Sequence, residues 1–542
     1  MSRTVVVLSG AVSAGKSTLA SRLVERYGAR RFSTRELITA RFGGEIAQER
    51  ARLQGLGEQL DRDTGGTWVA DDIAPLVAAL PDDAFVVVDS VRIIEQVEAL
   101  RRAFGRQIVH VHLGASDQQE LERRYEERRS SGSVVELPSY SDVGANPTEQ
   151  HVNELGEHAD VLIDTTRTDA DDVEVRVSAH LGLRARDTGR LVDVLVGGQY
   201  GSEGKGNVAF HLAPEYQVLV RVGGPNAGHR VFTATGEQYT HRLLPSGTMA
   251  GSGHLIIGPG SVIDVDLILK EIADCSVDVG RLTIDRRVMI ISARDQEVEK
   301  KLVGSIGSTG KGGGSAASRR ILQRGDDCAE DPVLLAGQVE ALKPFVGDAA
   351  EVLEAAYARG DRVLLEGTQG TSLSLYHGHY PHVTSRDTTV TGCLAESGIS
   401  PTRVRKVVMV CRTYPIRVES PQGGDSGYLK KEISWQEIAR RSGLDANELE
   451  GSERGSVSGK LRRVGEFDWE QLRRSVHLNG PTDIALTFAD YIDSENQRAR
   501  RLEQLTPDTL RFISEVERVS GVPVSLISTR FHNRSVIDRR AW

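Results

Sequence analysis

Three stretches of the chain carry residue types that bind and move phosphate. They are Gly10-Ala-Val-Ser-Ala-Gly-Lys-Ser17, Gly197-Gly-Gln-Tyr-Gly-Ser-Glu-Gly-Lys-Gly206 and Arg221-Val-Gly-Gly-Pro-Asn-Ala-Gly-His229. Glycines let main-chain amides approach a polyphosphate, and Lys16 and Lys205 add positive charge. The first stretch has the spacing of a P-loop. Gly10, Ser13, Gly15 and Thr18 frame the phosphates, Lys16 reaches the terminal ones, and the Ser17 hydroxyl suits Mg2+. Asp89, closing a later apolar run, stands where a second magnesium contact is expected; a helix-capping aspartate is the plainer alternative. The chemistry implied is nucleoside triphosphate binding and phosphoryl transfer.

Each loop needs a strand to deliver it. Thr4–Leu8 reads as a buried strand leading into the first loop, with Thr18–Tyr27 as the helix beyond. Ala84–Val88, Gln107–Leu113 and a last short run from His158 to Asp164 read as further strands. Asp117–Arg129 reads as a helix bearing Arg123, Arg124, Arg128 and Arg129, either a solvated charged face or an arginine lid over phosphates. Residues 184–190 are polar and read as a linker. Leu191–Val196 is the strand that enters the second loop, and Val363–Glu366 a strand entering the turn that holds Gln369. Ser305-Ile-Gly-Ser-Thr-Gly-Lys-Gly-Gly-Gly314 is rich enough in glycine and hydroxyls to hold an anion, and equally linker-like.

Composition narrows the class. A chain of 542 residues with 39% hydrophobic content supports several packed domains. A net charge of −9 gives no basic face for nucleic acid or an acidic membrane. No apolar run approaches membrane-spanning length, and the chain enters a strand without a signal peptide. Cys275, Cys328, Cys393 and Cys411 are scattered with no Cys-x-x-Cys spacing, so a reducing, cytoplasmic setting is expected.

Strand, P-loop, helix, aspartate-bearing strand and arginine-rich helix make residues 1–183 resemble the nucleoside monophosphate kinase group of P-loop proteins. The resemblance implies a three-layer α/β/α domain, with Phe32-Ser-Thr-Arg-Glu36 where that group holds its acceptor. Its motifs mark the triphosphate end and leave the acceptor open.

From Leu191 to the C-terminus the chain resembles adenylosuccinate synthetase, with motifs in the expected order. The resemblance implies an α/β domain over residues 191–542 with a central, mostly parallel sheet, and a ligase joining L-aspartate to C6 of a purine nucleotide. Mg2+ is the implied cofactor, GTP or ATP the energy source and a homodimer the implied assembly. The family's triphosphate loop falls on Gly201, Glu203, Gly204 and Gly206. Its catalytic histidine and lysine fall on His229 and Lys205, and its magnesium carbonyl on Gly228. Purine nucleotide contacts fall on Asn226, Ser308, Thr309, Gly310, Gln369 and Thr384, with Arg319 or Arg320 as the arginine a partner subunit lends. Ser456-Val-Ser-Gly-Lys-Leu-Arg-Arg463 matches the aspartate clamp, giving Ser458, Lys460, Arg462 and Arg463. Thr487-Phe-Ala-Asp490 matches the motif whose aspartate accepts from guanine N1 and N2, which leans toward GTP, while Phe488 can stack on either base. Ser528-Thr-Arg-Phe-His532 departs from the family's Thr-Gly-Pro at the end of that base pocket.

One position departs at the chemistry itself. Ser202 stands where the family carries an aspartate that takes the purine N1 proton and ligates Mg2+. A hydroxyl is no base at neutral pH and a poorer magnesium ligand. A phage branch of the family also carries serine here and acts on dGMP, and a shorter side chain leaves room for the 2-amino group of guanine. GMP or dGMP is therefore the expected substrate, IMP the alternative, and a non-catalytic nucleotide-binding module the third reading.

Overall fold

Val5, Val6, Val7 and Leu8 are wholly buried, as a strand covered on both faces must be. The computed structural model describes residues 3–43, 50–131, 136–183, 189–232, 236–325, 329–421, 424–455, 459–532 and 535–542. They form two compact units, Met1–Arg184 and Ala185–Trp542. Residues 184–188 of the expected linker lie outside the described residues.

The first unit is a parallel five-stranded sheet of β1 (Thr4–Gly10), β2 (Arg30–Ser33), β3 (Phe85–Asp89), β4 (Ile108–Gly114) and β5 (Val161–Asp164), in the order β2-β3-β1-β4-β5. β1 pairs with β3 on one side and β4 on the other, so its carboxyl end is a topological switch point where a ligand crevice opens. The first glycine loop leaves β1 there and runs into the helix Lys16–Tyr27. The expected strands are present with ends moved by a residue or a few. β2 is the strand the sequence reading missed, because Arg30-Arg-Phe-Ser33 is short and polar for a sheet edge.

The second unit is built on ten strands. Along the sheet run β14 (Val346–Gly347), β12 (Leu282–Asp285), β10 (His254–Ile257), β7 (Val218–Arg221), β15 (Val363–Glu366), β6 (Val192–Gly197), β16 (Val404–Arg412), β20 (Asp483–Thr487), β21 (Val524–Ser528) and β22 (Val536–Asp538). Only the β21–β22 pair is antiparallel. β6 lies between β15 and β16, again a switch point, and the second glycine loop leaves its carboxyl end. Three small sheets complete the unit: β8 (His229–Phe232) with β9 (Gln238–His241), β11 (Val262–Ile263) with β13 (Met289–Ile290), and β17 (Ile416–Arg417) with β19 (Arg463–Gly465) and β18 (Glu432–Ile433). No described helix is long and apolar enough to cross a membrane. Cys275, Cys393 and Cys411 are free thiols; Cys328 lies outside the described residues.

Burial holds several histidines neutral. His110 and His112 share the Ser9 hydroxyl at 2.7 and 2.8 Å inside the first unit, and burial pushes each imidazole down to about 4. His229 is likewise pushed down to about 4 and His241 to about 3 in the second. The unfolded chain, with ordinary imidazoles near 6.5, then binds more protons than the folded one between pH 6.5 and 4. Stability present above pH 6.5 should drain as pH falls, by about 1.4 kcal/mol per pH unit for each histidine. Calorimetric midpoints for both units should drop by several degrees between pH 7 and 5; equal midpoints at the two values would remove this account.

Candidate functional site

The loop after β6 is closed by its own side chains. Gly201 and Gly204 take left-handed backbone, φ 99° and 89°, and Gly204 caps the helix Lys205–Leu212. Glu203 turns inward, only 1% exposed, and its carboxylate accepts from the amides of Gln199 at 3.0 Å and Gly201 at 2.7 Å. Lys205 donates to Glu203 at 2.6 Å and to the Gly201 carbonyl at 3.1 Å. The positive field at the loop mouth therefore comes from the helix N-terminus, Lys205 being neutralised within the loop. Ser202 is half-buried, and its carbonyl accepts from Arg412 at 3.2 Å.

Against this helix lies His229. A Cβ on Gly206 would fall 2.8 Å from that of His229, so only glycine permits the approach. The imidazole Nδ1 meets the Glu366 carboxylate, with Arg221 at 3.2 Å and Ser246 Oγ at 3.3 Å. Nδ1 is thereby the protonated nitrogen, and Nε2 is buried with no partner among the described residues. Burial would raise the Glu366 carboxyl, but Arg221, His229 and Ser246 together hold it down at about 2. Arg221 closes β7 and Glu366 closes β15, neighbouring parallel strands, so the sheet itself sets the pair. A charged carboxylate thus fixes a neutral imidazole and aims its second nitrogen.

The loop at 305–314 is held in the same way. Glu299, 4% exposed, accepts from the amides of Gly312, Gly314 and Ser315, which narrows the expected anion loop to its earlier residues. There Thr309 Oγ1 is buried without a partner among the described residues, as is Asn226 Oδ1, and the Ser308 hydroxyl accepts from the Gly310 amide at 3.3 Å. Gln369, in left-handed backbone at φ 62°, donates to Thr384 Oγ1 at 3.1 Å, so these two expected contacts meet.

Beyond β20, Thr487 Oγ1 donates to the Glu203 carbonyl at 2.6 Å, tying the strand end to the phosphate loop. Phe488 adopts φ 60° and stacks parallel to Phe531, ring centres 5.8 Å apart. Arg412 lies 3.9 Å over the Phe488 ring and pairs with Glu453 at 2.6 Å. Arg462 reaches the same Glu453 at 3.2 Å. Arg463 is held by Ser426 Oγ and the Gly427 carbonyl, both at 2.8 Å, while Lys460 is exposed beside Glu419. Ser458 lies outside the described residues.

In the first unit Lys16 donates to the carbonyls of Gly10 and Ala11, 2.7 Å each, and the Ser17 hydroxyl faces Asp89 at 3.4 Å. Arg31 also pairs with Asp89. A cavity of about 730 Å3 opens beside the loop, lined by Lys16, Arg31, Asp61, Asp89, Arg124 and Arg128 among others. Arg123, Arg124 and Arg129 pair with glutamates of their own helix, Arg124 also reaching the Thr165 carbonyl. The charge run is thus largely a self-paired face.

The model of the adenylosuccinate synthetase family matches residues 194–331 and 334–497, more than half of the chain. The chain belongs to that family. Adenylosuccinate synthetase of Methanocaldococcus jannaschii is 39% identical over 356 residues, covering 64% of this chain and 96% of the relative. That of Pyrococcus horikoshii is 37% identical with 98% of its length covered. Among solved structures, cyanophage S-2L succinoaminodeoxyadenylate synthetase, bound to dGMP and to dATP as energy donor, aligns at TM-score 0.53 and 28% identity over 65% of this chain and 96% of its own. Fully ligated adenylosuccinate synthetase from Plasmodium falciparum aligns at TM-score 0.55 and 20% identity, over 65% and 100%. The second unit is an adenylosuccinate synthetase-type ligase, a family that works on aspartate, a purine nucleotide and a nucleoside triphosphate with Mg2+.

Against that family frame one expectation is corrected and two residues are added. Arg319 is not available to a nucleotide of a neighbouring subunit. It is 8% exposed and bonded to Asp295 at 2.6 Å, the Pro332 carbonyl at 2.6 Å and the Ile290 carbonyl at 3.1 Å, a set that saturates a guanidinium. Arg320 stays half-buried, its contact the Pro259 carbonyl. Glu366 and Arg412, which the sequence reading passed over, lie against the expected site residues His229 and Ser202. Arg417, also passed over, pairs in register with Arg463 across β17 and β19 and lies 4.5 Å over the Tyr200 ring, but it is 5% exposed and held by the Ser426 and His382 carbonyls.

If Glu366 acts by fixing His229, Glu366→Gln keeps the shape and removes the charge. Turnover in ligation should fall about 10–100-fold with little change in nucleotide KM, the usual cost of losing an orienting partner. A variant that loses affinity and keeps turnover would reduce Glu366 to a packing role.

Proposed function

We propose that the ligase unit joins L-aspartate to C6 of a guanine nucleotide, GMP or dGMP, at the expense of a nucleoside triphosphate. The observation that carries this reading is Ser202, a short neutral side chain in the phosphate loop. Its carbonyl is fixed by Arg412 while the loop's carboxylate, Glu203, is turned inward. Guanine bears a 2-amino group beside N1, and serine gives it room where a longer acid would crowd it. The dGMP carried by the cyanophage relative supports the same choice.

In this reading O6 of the purine attacks the terminal phosphorus, the nucleoside diphosphate leaves and the N1 proton passes to solvent; the aspartate amine then displaces phosphate from C6, and its proton leaves with the phosphate. His229 Nε2 meets charge developing on the transferring phosphoryl, whose negative oxygens raise the imidazole's hold on a proton. Asn226, Thr309, Gln369 and Thr384 position the nucleotide, and Arg462 and Arg463 the aspartate. The oxygens placed for Mg2+ here, the Ser202 hydroxyl and the Gly228 carbonyl, are hard but uncharged. No group of three or more His, Cys, Asp or Glu gathers for a metal among the described residues. Such a donor set fits a magnesium ion that arrives on phosphates, where it would neutralise their charge. A homodimer belongs to the same reading, with Arg320 as the arginine one copy offers the other.

For the first unit we propose a P-loop nucleotide kinase. Its support is the strand–loop–helix at the switch point, the Ser17–Asp89 pair suited to Mg2+, and the 730 Å3 cavity alongside. Lys16→Ala should abolish triphosphate-dependent phosphorylation of nucleotide monophosphates and leave aspartate ligation within a few-fold. Equal loss of both in folded protein would refute two independent sites.

Incubation with aspartate, Mg2+, a triphosphate and each of IMP, GMP and dGMP, read by product mass, tests the substrate. Ser202→Asp should lower the ratio of guanylate to IMP specificity constants by roughly 10²-fold, since a steric clash and a mispaired buried group cost a few kcal/mol. A ratio unchanged within a few-fold means Ser202 does not select the base. No turnover of any purine nucleotide, in protein that binds it, favours a non-catalytic module.

A further inference from the structure

The cavity of about 730 Å3 in the first unit reaches both sides of the P-loop, toward β5 at Thr165 and toward β2 at Ser33. On the β2 side it is lined by one face of the helix Arg50–Thr64. Gln54, Gly57, Glu58 and Asp61 follow there at helical spacing and share that face. Asp61 is held by Trp68 Nε1 at 2.7 Å and Gln96 Nε2 at 2.8 Å, both on Oδ1, so its Oδ2 takes no hydrogen bond among the described residues. Glu58 accepts from Asn146 at 2.5 Å, on Oε1 alone. Gln54 Nε2 is a buried donor with no partner among the described residues. Two carboxylate oxygens and one amide donor are thus left unmatched on a single stripe. Gly57 sits among them in the interior of a 15-residue helix, where alanine is the better residue. A Cβ there would meet Ile38 Cδ1 at 3.5 Å and nothing else within 4 Å, an ordinary contact, so packing does not call for glycine. The missing side chain leaves room for a flat ring.

Resting on the kinase reading of this unit, we propose that its acceptor is a guanine nucleoside monophosphate, with the base over Gly57 and read by Gln54, Glu58 and Asp61. The edge of guanine presents one acceptor, O6, beside two neighbouring donors, N1–H and the 2-amino group. Gln54 donates to O6, and the two carboxylates accept from N1–H and the 2-amino group. No group of the stripe is then left over. Hypoxanthine keeps N1–H and lacks the second donor. Adenine and cytosine set a ring-nitrogen lone pair against a carboxylate, and uracil flanks its one N–H with two carbonyls. Each mismatch strands a polar group in the cavity. Glu58 and Asp61, one helical turn apart, also repel each other, and two N–H donors relieve that repulsion. With the base there, the phosphate lies toward Lys16 at the P-loop side of the same cavity. One of its oxygens, ionised at neutral pH, bonds to the γ-phosphorus of the triphosphate as the β–γ bridging P–O bond breaks, and two nucleoside diphosphates leave.

The full chain, without aspartate so that ligation is silent, is given ATP, Mg2+ and each of GMP, IMP, AMP, CMP and UMP, and the diphosphates formed are measured. The specificity constant for GMP should exceed those for IMP and AMP by about 100-fold or more, since the stripe is left unpaired by both. Asp61→Asn should bring GMP and IMP to within a few-fold of each other. Gly57→Ala should melt no lower than the parent, because the helix favours alanine, and should raise the KM for GMP by roughly tenfold or more. Guanylate sites are counted in parallel by calorimetry, and the Gly57→Ala chain should show one fewer than the parent. A site lost in that variant, with no diphosphate formed from any monophosphate, would sustain the guanine reading and sink the kinase. Preferred phosphorylation of another monophosphate, equal use of all of them, or a Gly57→Ala chain with KM and site count unchanged would overturn the guanine reading and leave the kinase standing.

Discussion

Amide N–H groups, guanidiniums and helix N-termini gathered at one end of a sheet repel one another, and buried carboxylates hold them together in the ligase unit. Glu203 gathers two loop amides and Lys205, Glu299 gathers three amides at the second glycine loop, and Glu366 gathers Arg221, His229 and Ser246. Each is a buried ion that survives only because several donors converge on it, and removing a partner would strand the charge. The glycines supply the backbone shape; the acids keep that shape in register with its neighbours. A loop fixed in this way meets its ligand without first ordering itself, which lowers the entropy lost on binding.

Arg412 extends the same logic across the site. Its guanidinium touches the Ser202 carbonyl, Glu453, and the rings of Phe488 and Tyr491. Glu453 in turn holds Arg462. The glycine loop after β6, the Phe488–Tyr491 rings and the Glu453–Arg462 pair therefore share one buried cation. A shift of Arg462 or Glu453 has a direct mechanical route to the loop that carries Ser202.

The fold was legible wherever the chemistry was local. Runs rich in valine and leucine announced β1, β3, β4 and β6, and glycines marked the turns after β1 and β6, because strand burial and left-handed backbone are properties of a few adjacent residues. His229, Asn226 and Gln369 were singled out through the family resemblance, each sitting in a short motif. Glu366 and Arg221 meet across 145 positions and Arg412 and Ser202 across 210, and no local pattern encodes such partners. Glu366 looked like the last residue of a strand, and Arg417 like one more arginine in a polar stretch. Arg319 and Arg320 could not be told apart in sequence; helix phase decides that one faces Asp295 and the other the Pro259 carbonyl. Likewise Arg123, Arg124 and Arg129 found partners in glutamates three and four residues away, a pairing their spacing already contained.

Ser202 shows how such a frame confines the effect of one side chain. Its main chain is pinned from one side by Arg412 and followed at once by Glu203, whose carbonyl accepts from Thr487. The two flanking glycines supply the left-handed turns, so the serine itself need adopt no unusual backbone. A different side chain at 202 therefore leaves the loop's path unchanged and alters only what projects from it. In this frame the identity of residue 202 acts as a chemical variable on a fixed support. The shape and charge it projects can then change while the helix N-terminus and loop amides stay where they are.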